Sequence, residues 1–577
     1  MNLLPADFLL LNASNYPSRP IFPYAFVQVS ALARRAGVSS RRLDLLRVPR
    51  PAWERVLAAA VRQLRPRVIG LTLRQTDSMN AREYDRSDGR EYLPVQDTRD
   101  VIRMLRRHTE VPIIVGGFGF GIQPQRTLAA LEADAGIVGE PDALFECFDA
   151  FAERKLTAAP PNYLGHEGLG PRQTFGPFDG AEYTEELLDE LEAFYGPQWL
   201  ASAQAPTVAV EVARGCPHRC FFCAEPQVKG RTVRRRDLDA VFDDVARIAH
   251  RGLRKLWFVC SEANVGGNAM LTEITERMRD LNASRGEDSL SWTTYALPHL
   301  THAQLEDMTA SGWFLGGFND VPSLDDDELR RGGMPYRSRH AVRFMTAMRD
   351  HARVHPSRTD DWAVDRRRHL GLFLAAPTLT AAGLRTVLTR LDEAGMLPGA
   401  GRRVAESAFA ITALRVYDDD GDATRPRFTV PAALSEALGG VGRLAALQRY
   451  LETVVLCDAH RRGRDDSAFV APRRRRLAAW VGIAAESLAY ADVVTRLHER
   501  LGPLWEDLGL APAAGGAPAA SDYAVARALW NSAHRDGGVR ALLRPHVGAA
   551  WPLVCSILVH EYSIPLDPPL LRLVLSP

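Results

Sequence analysis

The chain has 577 residues, of which 46% are hydrophobic and 24% are charged, the composition of an ordinary globular protein. Lys and Arg number 71 against 70 Asp and Glu, so no excess of charge favours binding to nucleic acid or to a membrane surface. No apolar run is long enough to cross a bilayer, and the first residues lack the basic segment of a signal peptide. We therefore expect a cytoplasmic protein of several domains.

Residues 1–150 alternate between continuous apolar runs and amphipathic stretches, beginning with FLLLN at residues 8–12. This alternation predicts an α/β domain with a Rossmann-like (flavodoxin-like) parallel sheet that is covered on both faces. Such sheets bind ligands beyond the carboxyl ends of their strands. PIIVGGFGF at residues 112–120 is one predicted strand, with Gly116 and Gly117 just after its apolar part, and Gly139 and Glu140 end the next strand. These positions are candidates for ligand binding, with plain tight turns as the alternative.

Residues 151–205 are rich in Pro and Gly and then become acidic. This composition is typical of a linker between domains.

The segment GCPHRCFFC contains three closely spaced cysteines, Cys216, Cys220 and Cys223, directly after a predicted strand. Thiolates are the preferred ligands of iron–sulfur clusters, and short spacings let three sulfurs reach three corners of one cube. A structural zinc site needs a fourth ligand, usually from a second pair, and no such pair follows at the usual spacing. The spacing predicts a [4Fe–4S] cluster held by these cysteines. Cys147, Cys457 and Cys555 are predicted to be buried thiols, because an odd, scattered set does not form a disulfide framework. Cys260 is expected to be a packed thiol, with a fourth thiolate ligand of the cluster as the alternative.

With Phe222 just before its last cysteine, this motif resembles the signature of the radical S-adenosylmethionine (SAM) superfamily. The resemblance implies a partial (β/α)6 barrel over residues 206–424, with SAM bound at the fourth iron. Its strands match apolar runs as far as FAITALRVY, and Ser323 in NDVPSLDDDELRRGGMPY matches a position near SAM. Residues 425–577 have long helical patterns and no catalytic motif, which predicts a helical C-terminal domain.

The order of features in the first 150 residues resembles the cobalamin-binding domain that precedes many radical SAM barrels. The resemblance is carried by Asn12, Gly116, Gly117, Gly139 and Glu140, which are then expected to bind cobalamin. The D-x-H-x-x-G motif with its cobalt-ligating histidine is missing. Arg74 is a candidate to face the lower side of the cobalt, and an ordinary exposed arginine is the alternative.

Two further residues are expected to decide the chemistry. Glu262 stands where many relatives have a GGE motif, so it is expected to bind the amine of SAM or to reach the fourth iron; a capping or surface glutamate is the alternative. Tyr295 ends the third predicted barrel strand and is placed to assist removal of a substrate proton, with core packing as the alternative.

This combination resembles the class B methyltransferases of the superfamily, among them the tryptophan 2-C-methyltransferases of thiopeptide antibiotic biosynthesis. The expected cofactors are a [4Fe–4S] cluster, cobalamin and SAM. The expected reaction is methyl transfer through methylcobalamin to carbon, with C2 of tryptophan as the specific expectation. The alternatives are a 5′-deoxyadenosyl radical mechanism, a rearrangement, and a non-catalytic iron–sulfur sensor. The expected partners are a small-molecule substrate and an electron donor, with neither nucleic acid nor membrane.

Overall fold

In a computed structural model, the described residues are 5–13, 22–46, 48–74, 94–170, 180, 182–195, 207–220, 223–314, 319–321, 323–354, 370–373, 386–387, 389–390, 393–394 and 410–412. The predicted helical domain at 425–577 lies outside these residues.

The first sheet has seven strands in the order β2-β1-β3-β4-β5-β6-β7. Its strands are β1 (Phe8–Asn12), β2 (Ser40–Asp44), β3 (Val68–Thr72), β4 (Ile113–Gly116), β5 (Ala135–Ile137), β6 (Tyr163–Gly165) and β7 (Gly168–Leu169). The first five pair in parallel, and the last two add an antiparallel hairpin. The parallel part confirms the α/β fold predicted from the apolar runs.

Helices connect these strands and cover the sheet. They are α1 (Tyr24–Arg35), α2 (Trp53–Leu64), α3 (Pro94–Arg106), α4 (Phe118–Ile122), α5 (Pro124–Leu131), α6 (Asp142–Glu146) and α7 (Phe148–Ala152). On α2 the apolar residues recur every three or four positions, so Trp53, Leu57, Val61 and Leu64 form one buried face against the sheet. Each such burial contributes about 1.5–3 kcal/mol.

The first sheet differs from the sequence expectation in two places. The strand predicted over residues 112–120 ends at Gly116, and Phe118–Ile122 forms a short helix. The hairpin at 163–169 lies in the segment that was expected to be a linker, so the sheet continues beyond residue 150. Pro and Gly residues mark the turns of this hairpin as well as they mark a linker, and composition alone does not separate the two.

Three parallel strands form a second sheet in the order β12-β11-β8, and three more form a third sheet in the order β13-β14-β15. The strands are β8 (Val208–Glu211), β11 (Lys255–Val259), β12 (Ser291–Thr293), β13 (Asn319–Val321), β14 (Leu370–Phe373) and β15 (Ala410–Thr412). Trp313 adds a parallel bridge to Trp292. Every pair joins strands that follow each other in this series, which is the strand order of a parallel barrel.

A short antiparallel pair, β9 (Ala213–Arg214) and β10 (Arg234–Arg235), brackets the cysteine loop. The helices of this region are α8 (Glu185–Tyr195), α9 (Glu225–Val228), α10 (Leu238–His250), α11 (Ala269–Ala283), α12 (His302–Ala310), α13 (Asp326–Arg331) and α14 (Ser338–Val354). None of the helices that the structure describes is both long enough and apolar enough to cross a membrane.

Candidate functional site

The carboxyl edge of the first sheet aligns three of its strand ends in one row. The parallel registers place Asn12 opposite Thr72, and Thr72 opposite Gly116. Asn12 is fully buried and its amide donates a hydrogen bond of 3.2 Å to Asp44 Oδ1. The structure therefore brings two predicted cofactor-binding residues, Asn12 and Gly116, to the same edge, where ligands of parallel sheets bind.

Gly117 and Gly139 both have positive φ angles, 95° and 101°, in turns that leave this edge. A side chain at Gly117 would overlap the backbone oxygen of Leu73, so its lack of a Cβ atom also serves a contact within the protein. Arg74 is half-buried and lies two residues beyond the end of β3.

The cysteine loop begins at the end of β9 and is held from two sides. Gly215 has a φ of 85°, and a Cβ atom there would overlap the backbone oxygen of Thr232. Gly333, with a φ of 68°, fits against the backbone oxygen of Arg219 within the loop. Two glycines that accept positive φ thus let neighbouring backbone approach the loop closely.

The three cysteines of the loop are free thiols with pKa values above the ordinary range. Burial raises the pKa of Cys216, and the charges of Glu262 and Glu225 raise it further. Loss of hydration raises the pKa of Cys220 and of Cys223 to about 12, with further increases from neighbouring cysteines. These mutual effects place the three sulfurs in one neighbourhood. Iron binding would deprotonate them.

Among the described residues, no three His, Cys, Asp or Glu side chains are grouped closely enough to hold one metal ion. In an iron–sulfur cluster each sulfur ligand binds a different iron. Cys260 is 6% exposed and its sulfur lies 3.4 Å from Thr294 Oγ1, so it is a packed thiol.

Glu262 and Tyr295 lie on neighbouring loops beyond the ends of β11 and β12. The amide of Ala263 donates a hydrogen bond of 2.8 Å to the backbone oxygen of Tyr295 and joins the two loops. The negative charge of Glu262 adds to the effect of burial in raising the pKa of Cys220. The ring of Tyr295 contacts Trp257 edge to face, with 5.4 Å between centroids. The structure thus brings both predicted catalytic residues to the carboxyl ends of the second sheet's strands, the side that carries the cysteines.

Ser323 is placed differently from the other predicted residues. It is buried, donates a hydrogen bond of 2.6 Å to Glu328 Oε2, and accepts one of 3.0 Å from the amide of Asp325. These bonds stabilise the start of α13. Gly333, which lies just after α13 in the same segment, contacts the cysteine loop. Ser323 therefore belongs to a segment that packs on that loop.

A buried group of charged residues, which we call the ionic bridge, joins the first sheet to the cysteine loop. It consists of Glu140, Glu211, Arg214, Lys229 and Arg234. Arg214 contacts Glu211 at 2.8 Å and Glu140 at 3.1 Å, and Arg234 also binds Glu140. Glu140, predicted to bind cofactor, therefore holds two arginines that flank the cysteines. Lys229 lies 3.6 Å from Glu211.

The ionic bridge has a direct electrostatic signature at Glu211, which is 1% exposed. Burial alone would raise the pKa of this carboxyl, but Arg214 and Lys229 outweigh it and hold the pKa below its ordinary value. From α1, which covers the first sheet, Gln28 donates a hydrogen bond to Glu211 and the Tyr24 hydroxyl accepts one of 3.1 Å from the Glu211 amide. Sequence reasoning did not identify this group. The feature of the sequence that could have indicated this group is the pair of charged residues Glu211 and Arg214 in VEVARGC, which lie just before the cysteines in an otherwise apolar strand.

The carboxyl edge and the cysteine loop also meet through apolar contacts. A Cβ atom at Gly121 in α4 would lie only 2.8 Å from the side chain of Val228 in α9. Lys229 lies 5.8 Å from the centre of the Phe118 ring. The two predicted cofactor regions are therefore adjacent.

Comparison with known proteins agrees with this arrangement, although no protein-family model matches the chain. Over 347 residues the chain is 23% identical to tryptophan 2-C-methyltransferase of Streptomyces laurentii. The aligned region covers 52% of this chain and 56% of that protein. The match thus spans little more than half of the relative's length. The structure of the radical SAM methyltransferase TsrM from Kitasatospora setae, bound to tryptophan and a SAM analogue, aligns with a TM-score of 0.54 and 20% identity, over 68% of this chain and 72% of that one. The cobalamin-dependent SAM radical enzyme OxsB aligns with a TM-score of 0.53 and 13% identity, over 92% of this chain and 84% of that one.

The chain shares the fold of the cobalamin-dependent radical SAM enzymes. It is also a homologue of tryptophan 2-C-methyltransferase. The resemblance predicted from the cysteine motif is confirmed.

Within this radical SAM fold, Gly333 offers a specific test of how the cysteine loop is held. Gly333→Ala should lower the iron and sulfide content of the reconstituted protein by at least about half, because the methyl group would displace Arg219 while the left-handed backbone costs about 1–2 kcal/mol. Iron and sulfide analysis together with thermal unfolding would measure both effects.

Two controls separate the contributions at Gly333. Gly252 has a φ of 76° and nothing within 4 Å of the place that a Cβ atom would occupy, whereas Gly312 has a φ of 93° and a Cβ atom there would overlap the backbone oxygen of Leu290. Alanine at either position should lower stability and leave the iron content per folded protein unchanged. Equal iron loss in the Gly312→Ala variant would contradict a specific role for Gly333.

Proposed function

We propose that this protein is a cobalamin-dependent SAM methyltransferase that transfers a methyl group to a carbon atom of a small molecule. The observation that carries the proposal is the direct packing of the carboxyl edge of the first sheet on the segment that follows the cysteines, at Gly121 and Val228 and through the ionic bridge. A carrier bound at that edge would lie beside a SAM-binding cluster. The relatives named above support the same assignment.

The residues present fit the proposed cofactors. Cys216, Cys220 and Cys223 would hold the [4Fe–4S] cluster, as three free thiols whose charges act on one another. The edge formed by Asn12 and Gly116, with Gly117 and Gly139 in the adjoining turns, would bind cobalamin. Cobalamin supplies a carrier for the methyl group between SAM and the substrate. The proposed layout is a cobalamin-binding domain, a partial barrel and a helical C-terminal domain.

Arg74 is proposed to face the lower side of the cobalamin, because it is a half-buried basic residue two positions beyond the edge residue Thr72. Ser323 is proposed to act near SAM through its own segment, which contacts the cysteine loop. Glu140 retains a proposed role in this region as part of the ionic bridge and not as an independent ligand.

Within this function we propose tryptophan as the substrate and a polar mechanism. Glu262 is the predicted carboxylate whose charge acts on Cys216, Cys220 and Cys260, and we propose it for the fourth iron position. A carboxylate held there would keep SAM from reductive cleavage. Tyr295 and Trp257 offer aromatic surface that suits an indole ring.

Anaerobic reconstitution tests the proposal. The protein is loaded with iron, sulfide and hydroxocobalamin, and then incubated with SAM and tryptophan. Methylated tryptophan without stoichiometric 5′-deoxyadenosine is the expected result. Methylation accompanied by stoichiometric 5′-deoxyadenosine would overturn the polar mechanism, and failure to bind cobalamin would overturn the methyltransferase assignment.

Tyr295→Phe removes the hydroxyl proposed to accept the substrate proton while keeping the ring contact with Trp257. We expect the turnover number to fall by about 10²–10⁴, the usual contribution of a general base, with the KM for substrate nearly unchanged. Trp257→Phe is the matched control, which should raise KM more than it lowers turnover. Unchanged turnover in Tyr295→Phe would assign this tyrosine to packing alone.

A further inference from the structure

Asn264 lies in the loop that follows β11, and its side chain joins this loop to the one that follows β12. The residue is 3% exposed. Its Oδ1 atom accepts a hydrogen bond of 2.7 Å from the amide of Leu297, and its Nδ2 atom donates one of 3.2 Å to the backbone oxygen of the same residue. We call these two bonds the amide clamp. They pair a side-chain amide with a backbone N–H and C=O in the way that two antiparallel residues exchange both bonds.

The amide clamp continues the connection between β11 and β12 beyond the ends of both strands. The strands pair as far as Trp257 and Thr293. The bond from the amide of Ala263 to the backbone oxygen of Tyr295 forms a further link, and the clamp follows directly after it in both loops. Tyr295 therefore lies between the paired strands and the clamp.

The loop after β11 has an anchor of its own. The Ser261 hydroxyl lies 2.8 Å from Glu225 Oε1 and 3.3 Å from the backbone oxygen of Gly215, which flank the cysteines in sequence. Glu262 directly follows this anchor, so its place beside the cysteines does not depend on the clamp. Tyr295 belongs to the other loop, which the clamp attaches to the anchored one.

Both ends of the amide clamp are buried, so its loss has consequences for the loop. Leu297 is 8% exposed, and without Asn264 its amide would lose a partner at a place where water has little access. Leaving a buried polar group unpaired costs more than a hydrogen bond usually contributes, so the loop would shift to restore a partner. A shift of about 1 Å in a reacting group can lower a rate by about 100-fold.

We propose that Asn264 is a positioning residue, which holds the hydroxyl of Tyr295 in the place where it meets the substrate. The inference rests on the proposed function, because it requires Tyr295 to accept the substrate proton. Asn264 acts through the backbone of Leu297 and takes no part in the chemistry. Its loss should therefore slow methyl transfer while the cofactors stay in place.

Asn264→Ala tests this role in the full-length protein reconstituted with iron, sulfide and hydroxocobalamin. With SAM and tryptophan, we expect the turnover number to fall by about 10- to 100-fold and the KM for tryptophan to change by less than about threefold. The iron and sulfide content and the electron paramagnetic resonance spectrum of the reduced cluster should be unchanged, because Ser261 still anchors the segment of Glu262.

A second readout depends neither on activity nor on a cofactor. Loss of the clamp frees the amide of Leu297, so its hydrogen–deuterium exchange, followed by mass spectrometry, should become at least about tenfold faster in Asn264→Ala. The amide of Trp292 in β12 donates to the backbone oxygen of Gly312, and its exchange should be unchanged. Equally faster exchange at both amides would contradict a local role for the clamp.

Asn282 provides the matched control, because it forms a clamp of the same kind at the other end of β12. It accepts a hydrogen bond of 2.7 Å from the amide of Leu290, and donates one of 2.8 Å to the backbone oxygen of that residue and one of 2.9 Å to that of Ser311. Leu290 directly precedes β12, at its amino end. Asn282→Ala should lower the unfolding temperature as Asn264→Ala does, but leave the turnover of the folded protein and the exchange at Leu297 unchanged.

Two further variants keep the test decisive. In the Tyr295→Phe background the hydroxyl is already absent, so adding Asn264→Ala should lower turnover by less than about threefold, whereas independent effects would multiply. Asn264→Asp keeps the shape of the side chain and the acceptor for the Leu297 amide but loses the N–H donor. Its turnover should fall by at least about tenfold, and it replaces Asn264→Ala in every comparison if the alanine variant does not fold.

Three results would overturn this role and leave the methyltransferase proposal standing: unchanged turnover in Asn264→Ala and Asn264→Asp, an equal loss in Asn282→Ala, or a fully multiplicative loss in the Tyr295→Phe background. An altered cluster spectrum in Asn264→Ala would also overturn it, because the residue would then act on Glu262. If the unmodified protein does not methylate tryptophan, the proposed substrate is wrong, and the role of Asn264 at Tyr295 is refuted with it.

Discussion

Replacing Arg214 by methionine should lower the free energy of unfolding by about 3–5 kcal/mol, the usual result of breaking a buried ion pair. The substitution keeps the length and much of the apolar volume of the side chain. Among the described residues it leaves Glu211, 1% exposed, with Lys229 as its one remaining ion-pair partner. Arg214 also holds Glu140, so the link between the first sheet and the cysteine loop is weakened. Chemical unfolding followed by circular dichroism would measure the loss.

The dependence on pH gives this prediction a second readout. In the unmodified protein the pKa of Glu211 is held below its ordinary value of 4.5, so its stabilising contribution is present above that pH and is lost as the pH falls through the lower, folded-state pKa. In the variant, burial should raise the pKa of Glu211, and protonation should relieve the penalty at mildly acidic pH. The stability difference between the two proteins should therefore shrink as the pH falls from 7 toward 4.5.

Two comparisons test whether the effect belongs to the buried pair. Arg214→Met combined with Glu211→Gln should recover part of the lost stability, because no unpaired charge then remains buried. Arg103→Met breaks an exposed ion pair with Glu132 and should change stability little. A similar loss from Arg214→Met and Arg103→Met would show that the ionic bridge contributes no more than a surface pair.

The first sheet could be predicted in some detail because its information is local. Each of these parallel strands is buried on both faces, so its sequence is a nearly continuous apolar run, as in FLLLN and VIGLT. Such runs can be recognised as strands from the sequence alone. The cysteine motif is equally local, since its three ligands lie within eight residues of one another. Strand ends in a parallel sheet also share one edge, which is why Asn12 and Gly116 could be grouped in advance.

The contacts that assemble the site were not predictable, because they join residues far apart in sequence. Glu140 follows β5 of the first sheet and Arg214 ends β9, and nothing in their local patterns specifies that they meet. In the sequence Gly333 resembles an ordinary turn glycine, and only the structure shows its contact with Arg219. The helix at Phe118–Ile122 was missed for another reason, because its alternation of Gly with apolar residues also suits a strand.

Replacing Glu262 by glutamine should lower the rate of methyl transfer by about 100-fold, the upper range for residues that tune a metal centre. Among the predicted residues it is the carboxylate whose charge acts on Cys216, Cys220 and Cys260 together, after the larger effect of burial. Because the three cysteines remain, the iron and sulfide content should be unchanged. The electron paramagnetic resonance spectrum of the reduced cluster should change, and formation of 5′-deoxyadenosine from SAM should increase.

Glu225→Gln is the matched control, because Glu225 also places a negative charge beside Cys216, Cys223 and Cys260. Its carboxylate is held by Ser261 at 2.8 Å and by Lys229 at 3.3 Å. Removing this charge should alter the electrostatics of the thiols without changing the cluster spectrum or releasing 5′-deoxyadenosine. If both variants lose activity equally and share one spectrum, Glu262 acts only as a nearby charge, and a role at the fourth iron is wrong. If Glu262→Gln alone changes the spectrum, this carboxylate is what restrains the cluster from cleaving SAM.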